Sequence, residues 1–319
     1  VAKQKQPSKK DTKSTKVKGV PTPHDHFFRY TFLQRDHALE FLENYLPAEL
    51  IPLLKLDELV LGSGTYIDER LAEHMSDILY EVPLSQAQSD DAVATIYMLF
   101  EHKSVPEQQV LLQLLRYMYE RWVADLKDNK PIRPVIPIVF YHGEREWNIP
   151  TRFIDSFENM DTLFHAFIPD FNYILFDAGT HDVEQIKQAI SSGPLQASLL
   201  LLKYIYDQRL DTRLEDVFDP LAKSELPKEQ MLTHLRAMLK YIAETNNPVD
   251  EQKLTETVRD KFVKEEGAMS VLADVWREEG RVIGLREGLA EGRVKGIKEG
   301  LAEGHVKGIE EGREEGREE

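Results

Sequence analysis

The segment YMLFEHKSVP, residues 97–106, begins like a buried strand and ends in charge. The run from Ile96 to Phe100 is apolar, and then Glu101, His102 and Lys103 interrupt it. Residues two apart on a strand project to the same face, so a carboxylate at 101 and an ammonium at 103 share a side. Taken alone, such a pair reads most simply as a surface ion pair. At the end of a buried strand it is also half of a metal-dependent phosphodiesterase site. The other half lies upstream: SDILYEVPL (76–84) alternates Ile78, Tyr80 and Val82 against Asp77, Leu79 and Glu81, a strand pattern. The polar stretch SQAQSDDA (85–92) joins it to residues 93–103 as a hairpin.

Working outward, residues 107–127 read as an amphipathic helix with Leu111, Leu115, Met118 and Trp122 as its core stripe. Gln113 and Tyr117 lie four apart and share another side, with Arg116 beside them. That side faces the hairpin or is a solvated polar stripe. PVIPIVFYHG (134–143) and FNYILFDA (171–178) are apolar, β-rich runs expected as buried strands; Tyr141 and His142 at the end of the first are candidates to line a cleft. HALEFLENYL (37–46) has helical spacing and is stopped by Pro47, and a short strand is expected near 57–61. From 182 onward the pattern is helical, most clearly at 182–191, 195–209 and 228–245. The fold class is therefore α/β (α+β): a mixed core followed by a helical region.

Composition narrows the setting. The 319 residues carry a net charge of −16, which argues against simple electrostatic wrapping of nucleic acid, although a local cleft can differ from the whole. Without cysteine there are no disulfides and no thiolate metal sites. The lysines of the N-terminal stretch (Lys3, Lys5, Lys9, Lys10, Lys13) precede no apolar segment, so they do not form a secretory signal. LQASLLLLKYIY (195–206), the most apolar window, is too short to span a bilayer and contains Lys203. A cytoplasmic protein without a membrane segment is expected, with a disordered basic tail at 1–20, a folded domain at 21–225, a helical region at 226–279 and a repeat tail at 280–319.

That tail has glycine at every fourth position from Gly280 to Gly316, and GLAEGRVKGIKE (288–299) is followed by GLAEGHVKGIEE (300–311). Leu285, Leu289, Val294, Ile297, Leu301, Val306 and Ile309 keep a 4-5-3 apolar spacing through it. A self-associating helix that makes a homo-oligomer and a disordered segment both fit this composition.

The chemistry centres on Asp77, Glu101 and Lys103. Phosphodiester hydrolysis near neutral pH calls for a divalent ion that neutralises charge and lowers the pKa of a bound water. Mg²⁺ takes a few carboxylate oxygens, waters and the substrate phosphate, and a lysine two residues beyond the glutamate can stabilise developing charge. By spacing alone the triad is common. Several longer matches in sequence order are more specific: PHDHFFRYTF, LPAEL, GSGTYIDERLAEHMSDILYEV, YMLFEHKS, QLLRYMYERW and PVIPIVFYHGEREW. Through them the chain, from about Pro23 to the 220s, resembles the recombination-promoting nuclease (Rpn) family, also labelled transposases, within the PD-(D/E)XK nuclease superfamily.

The resemblance implies a central mixed sheet flanked by helices and Mg²⁺- or Mn²⁺-dependent cleavage of DNA. It assigns metal binding to Asp77 and Glu101 and the attacking water to Lys103, where many family members carry glutamine. Gln113 and Tyr117 resemble the Q-xxx-Y element of the RecB-like branch, and Asp25 resembles an acidic position near the metal. Ser76 stands where the superfamily's motif has proline. An RNase or phage-defence toxin using the same site, or a non-catalytic assembly protein on a degenerate nuclease fold, are the alternatives. Two further features carry less: His24 and His26 flank Asp25 as a metal pair or as local hydrogen-bonding groups, and LGSGTY lacks the residues of a phosphate loop.

Overall fold

The computed structural model describes residues 22–62, 78–85, 92–101, 106–207, 210–245 and 249–318. Asp77 and Lys103 lie outside the described residues. The chain divides into two compact units, up to Leu195 and from Gln196 onward, a boundary that falls inside the span 21–225 read from the sequence as one domain.

The first unit is built on a five-stranded sheet in the order β1 (Val60–Leu61), β2 (Ile78–Pro83), β3 (Val93–Glu101), β4 (Val135–Tyr141) and β5 (Ile174–Asp177). The first two pairings are antiparallel and the last two parallel, so the mixed sheet has its parallel half at β3–β5. Helix α1 (Pro23–Phe32) starts at Thr22, whose side chain and that of Asp25 cap each other's backbone, with Pro23 at the first helical position. Helix α2 (Arg35–Tyr45) ends ahead of Pro47.

One face of the sheet is aromatic. Phe28 and Phe32 of α1 and Phe41 of α2 close on Phe140 and Phe176, which are paired across β4 and β5. Tyr80 of β2 donates its hydroxyl to the Phe32 carbonyl at the end of α1. The other face carries α3 (Gln109–Lys127), whose Val110, Leu111, Leu114 and Tyr117 pack with Leu79, Tyr97, Val139 and Tyr173. Alternation along each strand supplies both faces, with Val139 on one side and Phe140 on the other. Helix α4 (Val183–Ala189) follows β5.

The second unit is helical: α5 (Gly193–Tyr204) leads into it, then α6 (Leu214–Ala222), α7 (Lys228–Glu244), α8 (Glu251–Lys261) and α9 (Ala268–Glu318). Both α6, which carries a proline at position 220, and α8, whose polar face dominates its composition, lie in the stretch read as helical from the sequence, though not among its clearest segments. Ala268, Val271, Leu272 and Val275 are buried in the first turns of α9, which pack on α7 and α8. Beyond them α9 continues through the glycine repeat, although each glycine costs a helix roughly 1 kcal/mol against alanine. No helix among the described residues is long and apolar enough to cross a membrane.

Candidate active site

The parallel strands end in one row. Glu101 of β3 is register partner to Tyr141 of β4, and Tyr141 to Asp177 of β5. The neighbouring β2 runs the other way and begins at Ile78, opposite Met98, so the residue after Asp77 enters the sheet beside the closing residues of β3. The carboxyl ends of parallel strands are where open α/β sheets bind ligands. Here that edge holds the closing acidic residues of β3 and β5, Glu101 and Asp177.

Asp177 is the member of this row that the sequence reading did not single out. It is buried, and burial pushes its carboxyl above the usual range, partly offset by hydrogen bonds from the backbone of Gly179, Thr180 and Trp147 and by nearby His181. The Gly179 amide donates to its Oδ1 at 2.9 Å, and a Cβ on Gly179 would come within 3.1 Å of that oxygen. A signal for it was present: YILFD ends an apolar run in a carboxylate, as YMLFE does at Glu101.

Helix α1 brings its first turn to the same edge. His142 directly follows β4 and is buried, and its ring centroid lies 5.1 Å from that of His24. Asp25 is buried one residue further on; its Oδ2 accepts from the Thr22 amide at 2.8 Å and from the Thr22 hydroxyl at 2.9 Å. A capping role therefore explains Asp25 locally. His24 and His26 do not face the same way as a metal pair would. Both are on a helix, where residues two apart diverge by roughly 200°, and His26 is exposed while His24 is half-buried.

Helix α3 covers the row's face of the sheet, but with a different stripe from the one expected. Its buried positions are Val110, Leu111, Leu114, Tyr117, Met118, Arg121 and Asp125, while Leu115 and Trp122 are only half-buried. Tyr117 is therefore part of the same core as Leu111 and Met118, where the sequence reading put it on a separate side. It does face the hairpin: its ring stacks on Tyr97 of β3 at 3.6 Å between centroids and 5° between planes. Gln113, one turn earlier, is half-buried. The helix thus sets Tyr117 against β3.

At the opposite end of the sheet a second charged group forms, also unread in the sequence. Asp125 of α3 is fully buried and receives Arg121 and Arg133 at 2.5 Å each, and Arg133 reaches Glu81 of β2 at 2.7 Å. Burial alone would raise the Asp125 carboxyl; hydrogen bonds from the two guanidinium groups outweigh it and hold the carboxyl below its ordinary range.

Among the described residues, no three acidic or histidine side chains are close enough to hold an ion.

Comparison with known proteins adds a family. Residues 22–232 match the family model described as "Putative transposase, YhgA-like". The chain is 30% identical over 245 residues to the recombination-promoting nuclease RpnD of Escherichia coli O157:H7, covering 74% of this chain and 86% of that protein. It is 26% identical over 261 residues to the recombination-promoting nuclease RpnA of Escherichia coli strain K12, covering 81% and 85%. A third relative from that strain, RpnE, named an inactive recombination-promoting nuclease-like protein, is 25% identical over 272 residues, covering 84% and 86%. No solved structure is significantly similar.

Proposed function

The chain belongs to the YhgA-like transposase family, together with the recombination-promoting nucleases, and from that membership we propose that it is a divalent-metal-dependent DNA endonuclease acting in recombination. The observation that supports the reading is the register of the sheet edge. β2 begins directly after Asp77 and pairs with β3, whose last residue is Glu101 and which leads towards Lys103.

In this reading Asp77 and Glu101 hold Mg²⁺ or Mn²⁺, with Asp25 as a further acidic group at the same edge. When bound, the ion supplies counter-charge for the scissile phosphate and a more acidic water. The Lys103 ammonium orients the attacking water and offsets charge that develops on the phosphoryl oxygens. Gln113 positions these groups from α3, and Tyr117, stacked on Tyr97, fixes the helix against the strand that carries them. The lysines at the N-terminal end provide a contact for DNA, while the acidic balance of the chain limits non-specific binding.

The test is incubation of the purified protein with supercoiled plasmid. Nicked and linear products in Mg²⁺, abolished by EDTA, are expected. Cleavage of RNA but not DNA under the same conditions moves the substrate to RNA. If neither is cut, the non-catalytic assembly reading replaces the enzyme, a state that the name of RpnE records for one relative.

A further inference from the structure

Beyond Glu279, α9 presents an apolar row that its own chain leaves uncovered. Val282, Leu285, Leu289, Val294, Ile297, Leu301 and Ile309 are 45% to 71% exposed, large hydrophobic side chains on a single helix. The glycines beside them are not demanded by packing within the chain. A Cβ added at any of the eight from Gly280 to Gly308 would meet nothing within 4 Å. An amphipathic helix in water normally hides such a row against something.

The charge along the helix identifies the occupant. From 280 to 298 there are five Arg and Lys against two Glu; from 299 to 319 there are three Arg and Lys against eight Glu. The first half is basic and the second acidic. A parallel pair of these helices would set like charge beside like charge along its whole length. An antiparallel pair sets each basic half against the partner's acidic half and also opposes the helix dipoles favourably.

We propose that α9 beyond Glu279 is a self-pairing helix that binds the same segment of a second copy of this chain in antiparallel orientation. The apolar spacing agrees with a closed, twofold contact. Placing Leu289 opposite Ile309 and Ile297 opposite Leu301 gives one common centre, position 299, and the same register sets Val294 against Gly304 of the second copy. A contact that is its own mirror under a twofold axis closes at two chains and does not propagate. Glycine allows the two backbones to approach. This proposal is independent of the reading of the nuclease site.

The chain has no cysteine, so single cysteines report neighbours cleanly. Full-length Leu289→Cys and Ile309→Cys proteins are treated with a short bismaleimide linker separately and as a mixture, one of them carrying a mass tag. In the antiparallel pair, position 289 of one copy is about 30 Å from 289 of the other, beyond the linker's reach, whereas 289 and 309 lie at the same level. The expected result is no covalent dimer from either variant alone and a mixed 289–309 dimer from the mixture. Covalent dimers from either variant alone, at the yield of the mixture, mean parallel pairing and overturn the proposal; so does the absence of any cross-link. In parallel, the unmodified full chain should sediment as two chains at low salt. Its dissociation should move to severalfold higher protein concentration as salt screens the charged halves. A one-chain mass throughout overturns the proposal equally.

Discussion

The two ends of the sheet treat charge in opposite ways. Where β4 begins, Asp125 is gripped by Arg121 and Arg133, and Arg133 is shared with Glu81. Where β3, β4 and β5 finish, Asp177 is held by backbone amides and its carboxyl is pushed up by burial, while Asp25 caps its own helix. An acid surrounded by guanidinium groups is spent on holding elements together. An acid that stays buried without that degree of neutralisation costs stability, and such costs collect where a counter-charge arrives with a ligand. The contrast separates a structural end from the end proposed to carry the site within one sheet.

The largest expected effect is at the structural end. Asp125→Ala leaves two buried arginines without their shared acid and should lower unfolding free energy by about 3–5 kcal/mol, the range for breaking a buried ion pair from one side. Urea denaturation measures it; a loss under 1 kcal/mol would erase the distinction between the ends. For the proposed site, Asp77→Ala and Lys103→Ala should each slow DNA cleavage by a hundredfold or more, about 3 kcal/mol of transition-state stabilisation, with little change in melting temperature. Wild-type cleavage rates in both variants would remove these residues from the site.

A subtler change tests metal binding directly. Glu101→Gln replaces one of two or three anionic ligands with a neutral amide and should weaken Mg²⁺ or Mn²⁺ in a calorimetric titration; unchanged affinity would place the ion elsewhere. The smallest effect concerns Asp177. Because its folded-state pKa lies above the unfolded one, the native protein holds the proton more tightly, and stability falls as pH rises from about 4 through the folded value. Asp177→Asn keeps an oxygen for the Gly179 amide and removes the charge, so it should be the more stable protein at neutral pH, with the advantage gone below about pH 4. Equal melting temperatures across that range would show that the buried carboxylate is as well compensated as Asp125.

Much of the sheet was legible because β2, β3, β4 and β5 each declare themselves through local alternation or an apolar run, and Pro47 punctuates the helix before them. Local pattern could not show that Tyr117 belongs to the core. Its burial depends on Tyr97, twenty positions earlier and on another element. The same holds for Asp125, whose partner Arg133 lies beyond the end of its helix and is itself shared with Glu81 of β2. The helix under His24 and His26 went unread because the decisive signal, Thr22 and Pro23 ahead of Asp25, is a capping pattern and not a periodicity. Asp177 shows the converse case. Its signal was the same as that of Glu101, but it lacked a second charged residue nearby to draw attention to it.

The doubled twelve-residue unit of α9 makes that helix a ruler graduated in whole units. Twelve residues advance a helix by about 18 Å and turn it by roughly 120° beyond three full turns. Because the apolar spacing 4-5-3 closes within twelve residues, inserting or deleting one unit leaves the row unbroken. A chain that gained or lost a copy would present a longer or shorter arm with the same surface grammar. Repeated coding sequence is prone to such gains and losses, so the arm can change its length in steps while every intermediate remains a usable protein.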